Sequence, residues 1–503
     1  MDVITMDESL RIAELMAESG VKFGTSGVRG LATEMTDRIC YAYTRAFLQY
    51  LGERSELVPG AGVAIAGDFR PSSPRIMAAM AMAIADAGYQ PINGGFIPTP
   101  AVALYGMNNG IPSLMVTGSH TPDDRNGIKF YKASGEILKP DEEGISRQAV
   151  HVPAGHFQAN GKAVSAYTLP SVTAAAEHEY VQRYVNFFPQ RVLAGQRICV
   201  YQHSSVARDV MAKILKALGA EVVALGRSDK FIPVDTEAVR PEDVDLAAKW
   251  GKEYDFDCII SADGDGDRPL VSDERGRWLR GDVAGTLCAR YLGAHVVVTP
   301  VNSNSTAEKC GWFATVTRTR IGSPFVIAAM NEALSAGETA VVGYEANGGF
   351  LIASDIERDG YHLSALPTRD AIIVPLAILM LAKQTKLSIS GLLQQLPPRF
   401  TSSDRLKDFP TELSQSQIAT FNSGDFAKDK QKIERVFGEE AGQVKAIDGT
   451  DGLRITFMNE EVVHLRSSGN APELRCYNEA ATESRAQQLN QRCLAIINSW
   501  RER

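Results

Sequence analysis

The stretch Val63-Ala-Ile-Ala-Gly-Asp-Phe-Arg-Pro-Ser-Ser73 introduces a plan that the chain repeats. Its apolar start predicts a short strand, and the alanine- and methionine-rich segment that follows, as far as Gly88, predicts a helix. The same order returns at Ile198-Cys-Val-Tyr201 and at His295-Val-Val-Val-Thr299. Strands that alternate with helices are typical of β-α-β units in mostly parallel sheets, so three copies predict three related α/β domains.

The C-terminal part of the chain has a different pattern. From Pro397 onward, the segments 452–457 and 462–465 predict strands, and a closing helix has Leu489 and Cys493 on one apolar face. This pattern predicts a smaller α+β domain. The predicted domain boundaries are 1–165, 166–280, 281–395 and 396–503.

Composition and charge exclude several classes of protein. The 503 residues correspond to about three to four domains at roughly 150 residues each. Hydrophobic residues make up 44% and charged residues 22%, which is typical of globular domains. The chain has 52 basic and 60 acidic residues, a formal charge of −8. This balance disfavours binding to nucleic acid or to anionic membranes, so an anionic ligand would need locally gathered cations.

Cysteine usage and hydropathy predict a cytoplasmic protein. The seven cysteines are scattered and form no C-x-x-C pair, which suits a reducing compartment. The first residues are acidic, whereas a signal peptide begins with basic ones. The longest apolar run, Ala371 to Ala382, is too short to span a bilayer and predicts a buried helix.

The most specific local signal is a run of three aspartates separated by single glycines. An apolar strand leads directly into Asp263-Gly-Asp265-Gly-Asp267-Arg268. Alternating carboxylates on a tight glycine loop can converge on one hard cation, and without a cation their mutual repulsion would cost stability. The loop therefore predicts a metal site.

Two other chemistries fit part of this loop. An EF-hand also begins D-x-D-x-D and has a glutamate at its twelfth position, where Glu274 lies, but Arg268 stands where glycine is required. A haloacid-dehalogenase-type phosphotransferase uses a D-x-D after a strand, with the first aspartate as nucleophile. The residue two after the second aspartate is there usually Thr or Val, and here it is Asp267.

A second signal surrounds Ser119. An apolar strand ends at Thr117-Gly-Ser119-His120, and Lys129 follows ten residues later. The sequence is no G-x-S-x-G elbow, which disfavours an α/β-hydrolase. A serine near a metal loop suits phosphoryl transfer, in which positioning and charge neutralisation supply most of the catalysis.

Three further loops have the composition of a binding site. The segments 22–30, around Arg29, and 466–475 combine arginines with glycines, and such loops can bind phosphate through guanidinium forks and backbone N–H groups. The segment Gly343-Tyr-Glu345-Ala-Asn347 offers a carboxylate and a carboxamide, which suit sugar hydroxyls.

In this order and spacing, the five loops resemble the α-D-phosphohexomutase family, from Gly24 to Arg475. The resemblance implies three α/β domains and a fourth domain of the TATA-box-binding-protein-like fold around a central cleft. It also implies one Mg²⁺ per chain, a phosphorylated hexose as substrate, and a hexose 1,6-bisphosphate as intermediate and activator. A monomer or homodimer is expected.

The resemblance assigns roles to individual residues. It makes Ser119 the phosphoserine, and Asp263, Asp265 and Asp267 would hold the metal together with the seryl phosphate. Arg268 would contact the transferring phosphoryl group, Lys129 and Arg29 are the acid–base candidates, and His120 is a further catalytic candidate. The implied substrate-binding residues are Gly343, Glu345, Asn347, Arg466, Ser468, Gly469, Asn470 and Arg475.

The chain departs from the family pattern at three loops. The usual T-A-S-H-N-P reads Thr117-Gly-Ser-His-Thr-Pro122, and S-G-T-E-P reads Ser468-Gly-Asn-Ala-Pro472. In the sugar loop, E-x-S-G-H reads Glu345-Ala-Asn-Gly-Gly349, so the serine and the histidine are both replaced. A role of that histidine in proton transfer therefore cannot be transferred to this chain.

The predicted activity is the interconversion of hexose 6-phosphate and hexose 1-phosphate, with mannose phosphate as the first choice of substrate. The alternative in the same class is a glucose phosphate substrate or dual specificity, because the two sugars differ only at C2. The alternative in another class is a non-catalytic Ca²⁺-binding protein, which would leave Ser119 and both arginine loops unexplained.

Overall fold

The computed structural model describes residues 3–4, 6–165, 167–468 and 472–502. Four β-sheets of four or more strands follow one another along this part of the chain. The repeated strand-helix plan is confirmed, because the strands at 62–67, 197–203 and 296–300 each pair in parallel with the next strand along the chain.

The first sheet is mixed. The elements of this region are β1 (Glu8–Arg11), α1 (Ile12–Ser19), β2 (Lys22–Phe23), β3 (Val28–Leu31), α2 (Asp37–Glu53), β4 (Gly62–Gly67), α3 (Ser73–Asp86), β5 (Gln90–Gly95), α4 (Thr99–Asn108), β6 (Ser113–Val116), β7 (Arg125–Lys132), β8 (Gly135–Glu136), α5 (Lys139–Ser146) and β9 (Ala149–Val152). The sheet order is β2-β3-β7-β6-β4-β5, with β8 added to β7. Strand β4 is parallel to β5 and β6, whereas β7 is antiparallel to β3 and β6. This order places the C-terminal ends of the parallel strands β4 and β6 side by side.

The second sheet is smaller and carries the aspartate loop. Its region contains α6 (Ala175–Phe187), β10 (Arg197–His203), α7 (Arg208–Ala217), β11 (Glu221–Arg227), α8 (Pro241–Glu253), β12 (Cys258–Ala262) and β13 (Pro269–Val271). The order is β11-β10-β12-β13, with only the last pair antiparallel. The β12–β13 connection is the loop of residues 263–268.

The third sheet also combines parallel and antiparallel pairs. Its region contains α9 (Gly281–Leu292), β14 (Val296–Pro300), α10 (Thr306–Lys309), β15 (Thr315–Thr319), α11 (Ser323–Ser335), β16 (Val341–Tyr344), β17 (Phe350–Ile352), β18 (Ile356–Arg358), β19 (Tyr361–Leu363), β20 (Leu366–Asp370), α12 (Ile373–Thr385) and α13 (Ile389–Leu393). The order is β15-β14-β16-β17-β20. Residues 373–382 of α12 are buried, as the apolar run predicted. In the described part of the chain, no helix is long and apolar enough to cross a membrane.

The fourth sheet is antiparallel throughout. Its region contains β21 (Phe400–Leu406), α14 (Thr411–Ala419), α15 (Phe426–Ala441), β22 (Val444–Asp448), β23 (Leu453–Phe457), β24 (Val462–Ser467), β25 (Leu474–Ala480), α16 (Glu483–Asn498) and a 3₁₀ turn (Ser499–Glu502). The order β21-β25-β24-β23-β22 confirms the α+β pattern of the C-terminal part. The four predicted domain boundaries stay a prediction.

Candidate active site

The loop 263–268 gathers three carboxylates at one point. Asp263, Asp265 and Asp267 are fully buried, and one oxygen of each lies within 4.8 Å of the others. The loop is tight because Gly266 has a φ of +70°, a left-handed conformation that side-chain-bearing residues rarely adopt. The N–H groups of Asp267 and Arg268 donate to Asp263 Oδ1 at 3.1 and 3.2 Å, so the loop closes on its first residue.

Burial and neighbouring charges shift the pKa values of these carboxylates in opposite directions. Burial raises the pKa of Asp263 well above its usual range, and the charges of Asp265 and Asp267 raise it further. Burial also opposes ionisation of Asp265, but Lys129, with its Nζ 2.6 Å from Asp265 Oδ2, holds that pKa below its usual range. The Nζ of Lys129 also donates to Asp267 Oδ2.

The donor set of this loop fits a hard divalent cation. In the described part of the chain, Asp265 Oδ1 and Asp267 Oδ1 are buried without a hydrogen-bond partner. Carboxylate oxygens are the ligands that Mg²⁺ and Ca²⁺ prefer. The EF-hand alternative does not fit, because the Glu274 carboxylate accepts hydrogen bonds from the N–H and hydroxyl of Ser390 instead.

Ser119 lies directly against the aspartate loop. It follows β6, and its buried Oγ donates to Asp263 Oδ2 at 2.8 Å. Its φ of +56° is a strained conformation that the surroundings must hold in place. The Ser119 N–H donates to Thr117 Oγ1 at 2.7 Å, and Arg70 Nη2 donates to the Ser119 carbonyl at 2.9 Å. Asp68, at the end of β4, pairs with the Arg70 guanidinium, so two adjacent strand ends fix this turn.

His120 and Arg29 lie next to the same loop. Arg268 Nη1 and His120 Nδ1 are 2.8 Å apart, and burial, together with the charge of Arg268, lowers the His120 pKa to about 3. His120 is therefore neutral at pH 7 and accepts from the guanidinium through Nδ1. Arg29 lies on β3, where burial and the charges of Arg268 and Arg369 lower its pKa to about 10.

A cavity of about 470 Å³ joins all four sheets around these residues. From the first two sheets, Arg29, His120 and Arg268 line it. From the third and fourth sheets, Glu345 and Arg475 line it. Cavities of roughly 300–1,000 Å³ are typical for small-molecule ligands.

Of the three residues predicted in the sugar loop, two line the cavity and one does not. Glu345 and Asn347 line the cavity, and Asn347 Oδ1 also accepts from the Gly349 N–H at 2.9 Å, which closes the turn. Gly343 instead lies within β16, with its α-carbon packed towards Val326 on α11. It is absent from the described residues that line the cavity.

The predicted phosphate loop is described in part. Gly469 and Asn470 lie outside the described residues. Arg475 lines the cavity from β25. Ser468 is buried, and its N–H donates to the Glu473 carbonyl at 2.9 Å. Arg466, on β24, pairs with Asp451 at 2.9 Å and is not among the described cavity-lining residues.

Several cavity residues were not predicted from the sequence. Asp235 and Glu237 come from the loop between β11 and α8, where Thr236 Oγ1 donates to the Asn347 carbonyl at 2.6 Å. Burial raises the pKa of Glu237. The loop 228–240 contains no glycine and mixes polar with apolar residues, so only tertiary contact identifies it. Arg369, on β20, is a second such case.

Comparison with known proteins assigns the class. Four family models, described as phosphoglucomutase/phosphomannomutase, match in order: alpha/beta/alpha domain I at residues 20–152, domain II at 178–276, domain III at 280–400, and the C-terminal domain at 424–496. The chain belongs to the phosphoglucomutase/phosphomannomutase family, which confirms the resemblance seen in its loops.

Individual relatives extend over nearly the whole chain. A phosphomannomutase of Sinorhizobium fredii (strain NBRC 101917 / NGR234) is 44% identical over 480 residues, which cover 95% of this chain and 99% of the relative. A phosphomannomutase of Salmonella muenchen is 44% identical over 486 residues, 97% of each chain. A solved structure of a phosphoglucomutase/phosphomannomutase family protein from Burkholderia thailandensis shares the fold, with a TM-score of 0.70 at 18% identity over 95% of this chain and 97% of that one.

Proposed function

We propose that this chain is a Mg²⁺-dependent phosphohexomutase that interconverts mannose 6-phosphate and mannose 1-phosphate. The observation that supports this most directly is the 2.8 Å hydrogen bond between the Ser119 hydroxyl and Asp263, which joins a nucleophile to a metal-binding carboxylate. We favour mannose phosphate over glucose phosphate as the substrate because two relatives named phosphomannomutase are each 44% identical to this chain over nearly its full length.

In the proposed reaction, phosphorylated Ser119 is the phosphoryl donor. The bond from its Oγ to phosphorus breaks as a hydroxyl oxygen of the hexose monophosphate forms the new bond. The hydroxyl proton passes to a base, for which Lys129 and Arg29, each in its deprotonated form, are the candidates. The resulting bisphosphate turns over in the cavity, and its other phosphoryl group returns to Ser119 while the sugar oxygen recovers a proton.

The residues of the aspartate loop would hold the metal. Asp263, Asp265 and Asp267 would bind Mg²⁺ together with the seryl phosphate. When bound, Mg²⁺ neutralises charge on the oxygens of the transferring phosphoryl group. Arg268 would contact the same group, and Arg475 would hold the distant phosphate while Glu345 orients the sugar hydroxyls.

A substrate comparison tests the function. Mannose 1-phosphate and glucose 1-phosphate are assayed side by side with Mg²⁺ and a trace of the matching hexose 1,6-bisphosphate. We expect turnover of both, with the larger kcat/KM for mannose 1-phosphate. A larger value for glucose 1-phosphate would replace the proposed substrate, and no turnover of either would refute the proposed activity.

Substitution of Ser119 tests the proposed nucleophile. Intact-mass measurement of the protein after incubation with hexose bisphosphate should show a fraction heavier by about 80 Da, one phosphoryl group. Ser119→Ala should lose this fraction together with mutase activity, whereas the control Ser228→Ala, whose hydroxyl bonds to the backbone of Lys230, should retain both. A fully active Ser119→Ala variant would instead point to Asp263 as an aspartyl nucleophile.

A further inference from the structure

Gly349 and Arg369 form a matched pair beside the cavity. A Cβ atom added to Gly349 would lie 2.6 Å from Arg369 Cδ and 2.8 Å from Arg369 Cγ. These distances are shorter than real Cβ contacts, so the space that a side chain at 349 would need is occupied by the stem of Arg369. Position 349 is where the family pattern has a histidine.

The tip of Arg369 is fixed by two carboxylates from different sheets. Its Nε donates to Asp267 Oδ2 at 3.1 Å, and its Nη1 donates to Glu345 Oε2 at 3.3 Å. Arg369 is almost completely buried, with 2% of its surface exposed. Since Asp267 and Glu345 both hold the guanidinium, the stem of Arg369 cannot move away from Gly349 without breaking these ion pairs.

We propose that Arg369 is a positioning residue that replaces the side chain missing at 349 and holds Glu345 in place for the sugar. This inference rests on the proposed function, in which Glu345 binds sugar hydroxyls and Asp267 binds the metal. Arg369 connects these two residues, so the metal loop of the second sheet and the sugar loop of the third keep a fixed relation.

The chemistry of arginine suits this task better than that of histidine. A planar guanidinium with five N–H donors can bond to two separate carboxylates at once, whereas an imidazole has two ring nitrogens. Burial opposes its charge, but Asp267 and Glu345 hold the Arg369 pKa well above its usual range. Arg369 therefore keeps its charge and its geometry but cannot relay a proton, so proton transfer must use other groups.

A melting experiment tests the pairing independently of any activity. Gly349 has no positive φ, so Gly349→Ala meets no backbone penalty and its cost comes from the Arg369 stem. We expect Gly349→Ala to lower the melting temperature in the native background and to cost little or nothing when Arg369→Ala is also present. Equal losses in both backgrounds would overturn the pairing.

A kinetic cycle tests the positioning role. Arg369→Ala and Glu345→Gln should each raise KM for the hexose phosphate about ten- to two-hundred-fold, the range of a lost charged hydrogen bond. The KM of the double variant should be no higher than that of the worse single variant, because Arg369 acts on sugar binding through Glu345, whereas its bond to Asp267 acts on the metal loop. Arg369→Lys should recover only part of the loss, and the exposed Arg275→Gln should match the native protein.

Each outcome of this cycle is informative. The positioning role would be overturned if the KM increase of the double variant equalled the product of the two single increases. It would also be overturned if Arg369→Ala had the KM of the native protein. If the native protein turned over neither hexose phosphate, the proposed function would fail and the positioning role with it. The pairing of Gly349 with Arg369 would still be judged by the melting temperatures.

Discussion

At the scale of single residues, Asp263, Asp265 and Asp267 create an electrostatic problem that the rest of the site must solve. Two unit charges at 4.8 Å, the upper limit of the separations between these oxygens, repel by about 3.5 kcal/mol at an effective dielectric constant of 20. Lys129 neutralises part of this charge by bonding to Asp265 and Asp267. A divalent cation is expected to neutralise the rest.

Asp265→Asn removes one of these charges while preserving the shape of the side chain. We expect Mg²⁺ binding, measured by titration calorimetry, to weaken about ten- to two-hundred-fold and turnover to fall with it. Ca²⁺ should bind to the native protein but support little activity, because its coordination is looser. Asp229→Asn, an exposed site in the same region, is the control with the same charge change. Unchanged Mg²⁺ affinity in Asp265→Asn would show that the metal binds elsewhere.

Residue identity explains why some site residues were predictable from sequence and others were not. Asp263, Asp265 and Asp267 repel one another within five positions, so the sequence itself implies a ligand. Arg369 lies in the strand sequence Leu-Pro-Thr-Arg-Asp. A single arginine in a strand does not indicate which residues it will contact. Its role depends on Gly349, twenty positions earlier, and only the fold brings the two together.

At the scale of elements, the site is built from strand ends. Ser119 follows β6, and the aspartate loop follows β12, which makes both turns short and rigid. His203, at the end of β10, supports the second turn: its Nε2 donates to the Ala262 carbonyl at 2.7 Å. The strand-helix order was predictable because apolar runs and helical periodicity are local. The contact between the ends of β6 and β12 was implied by the family resemblance and not by the local pattern, because it joins two sheets.

His203 should make stability depend on pH. Burial lowers its pKa to about 4 in the folded protein, against about 6.5 when unfolded. Between these values the unfolded chain binds more protons, so the free energy of unfolding should fall by up to about 1.4 kcal/mol per pH unit as pH drops. Above pH about 6.5 this contribution is constant.

The measurement compares melting temperatures from pH 7.5 to 4.5. His203→Asn should be less stable at pH 7.5 but lose less on acidification than the native protein. Asparagine tolerates the positive φ of this position, which is 24°. His295→Asn, at an exposed histidine, should follow the native pH dependence. Parallel curves for His203→Asn and the native protein would mean that the pKa of His203 is the same in the folded and unfolded states.

At the scale of the whole molecule, four sheets surround one cavity and bring separate cations to it. Arg268 comes from the second sheet region, Arg369 from the third and Arg475 from the fourth. An acidic chain can thus offer cations to an anionic sugar phosphate, because five arginines among the described residues line the cavity in which the substrate is proposed to bind. The sequence predicted the loops of Arg268 and Arg475 separately, and the family resemblance supplied their convergence, whereas Arg369 was not predicted. Charge and periodicity alone could not, since they carry no information on how sheets pack.

This arrangement predicts that the two ends of the substrate can be uncoupled. Arg475 is proposed to hold the phosphate that is not transferred, whereas Arg268 lies at the reacting end, with its Nε 3.7 Å from Asp267 Oδ1. Arg475→Ala should raise KM for the hexose monophosphate about ten- to two-hundred-fold and release bisphosphate into solution before it turns over. Arg268→Ala should slow every phosphoryl transfer.

Single-turnover loss of label from phosphorylated Ser119 separates these effects, with hexose monophosphate and unphosphorylated hexose compared as acceptors. Arg475→Ala should be slow with the monophosphate at low concentration and near native with the unphosphorylated hexose, which has no distant phosphate to hold. Arg268→Ala should be slow with both, because its contact is with the group that moves whatever the acceptor carries. Arg405→Ala is the matched control, since Arg405 also reaches the cavity from the fourth sheet but is not assigned to either phosphate. If Arg475→Ala slowed both acceptors equally, Arg475 would serve the reacting centre or the fold, and the separation of the two phosphate sites across the cavity would be wrong.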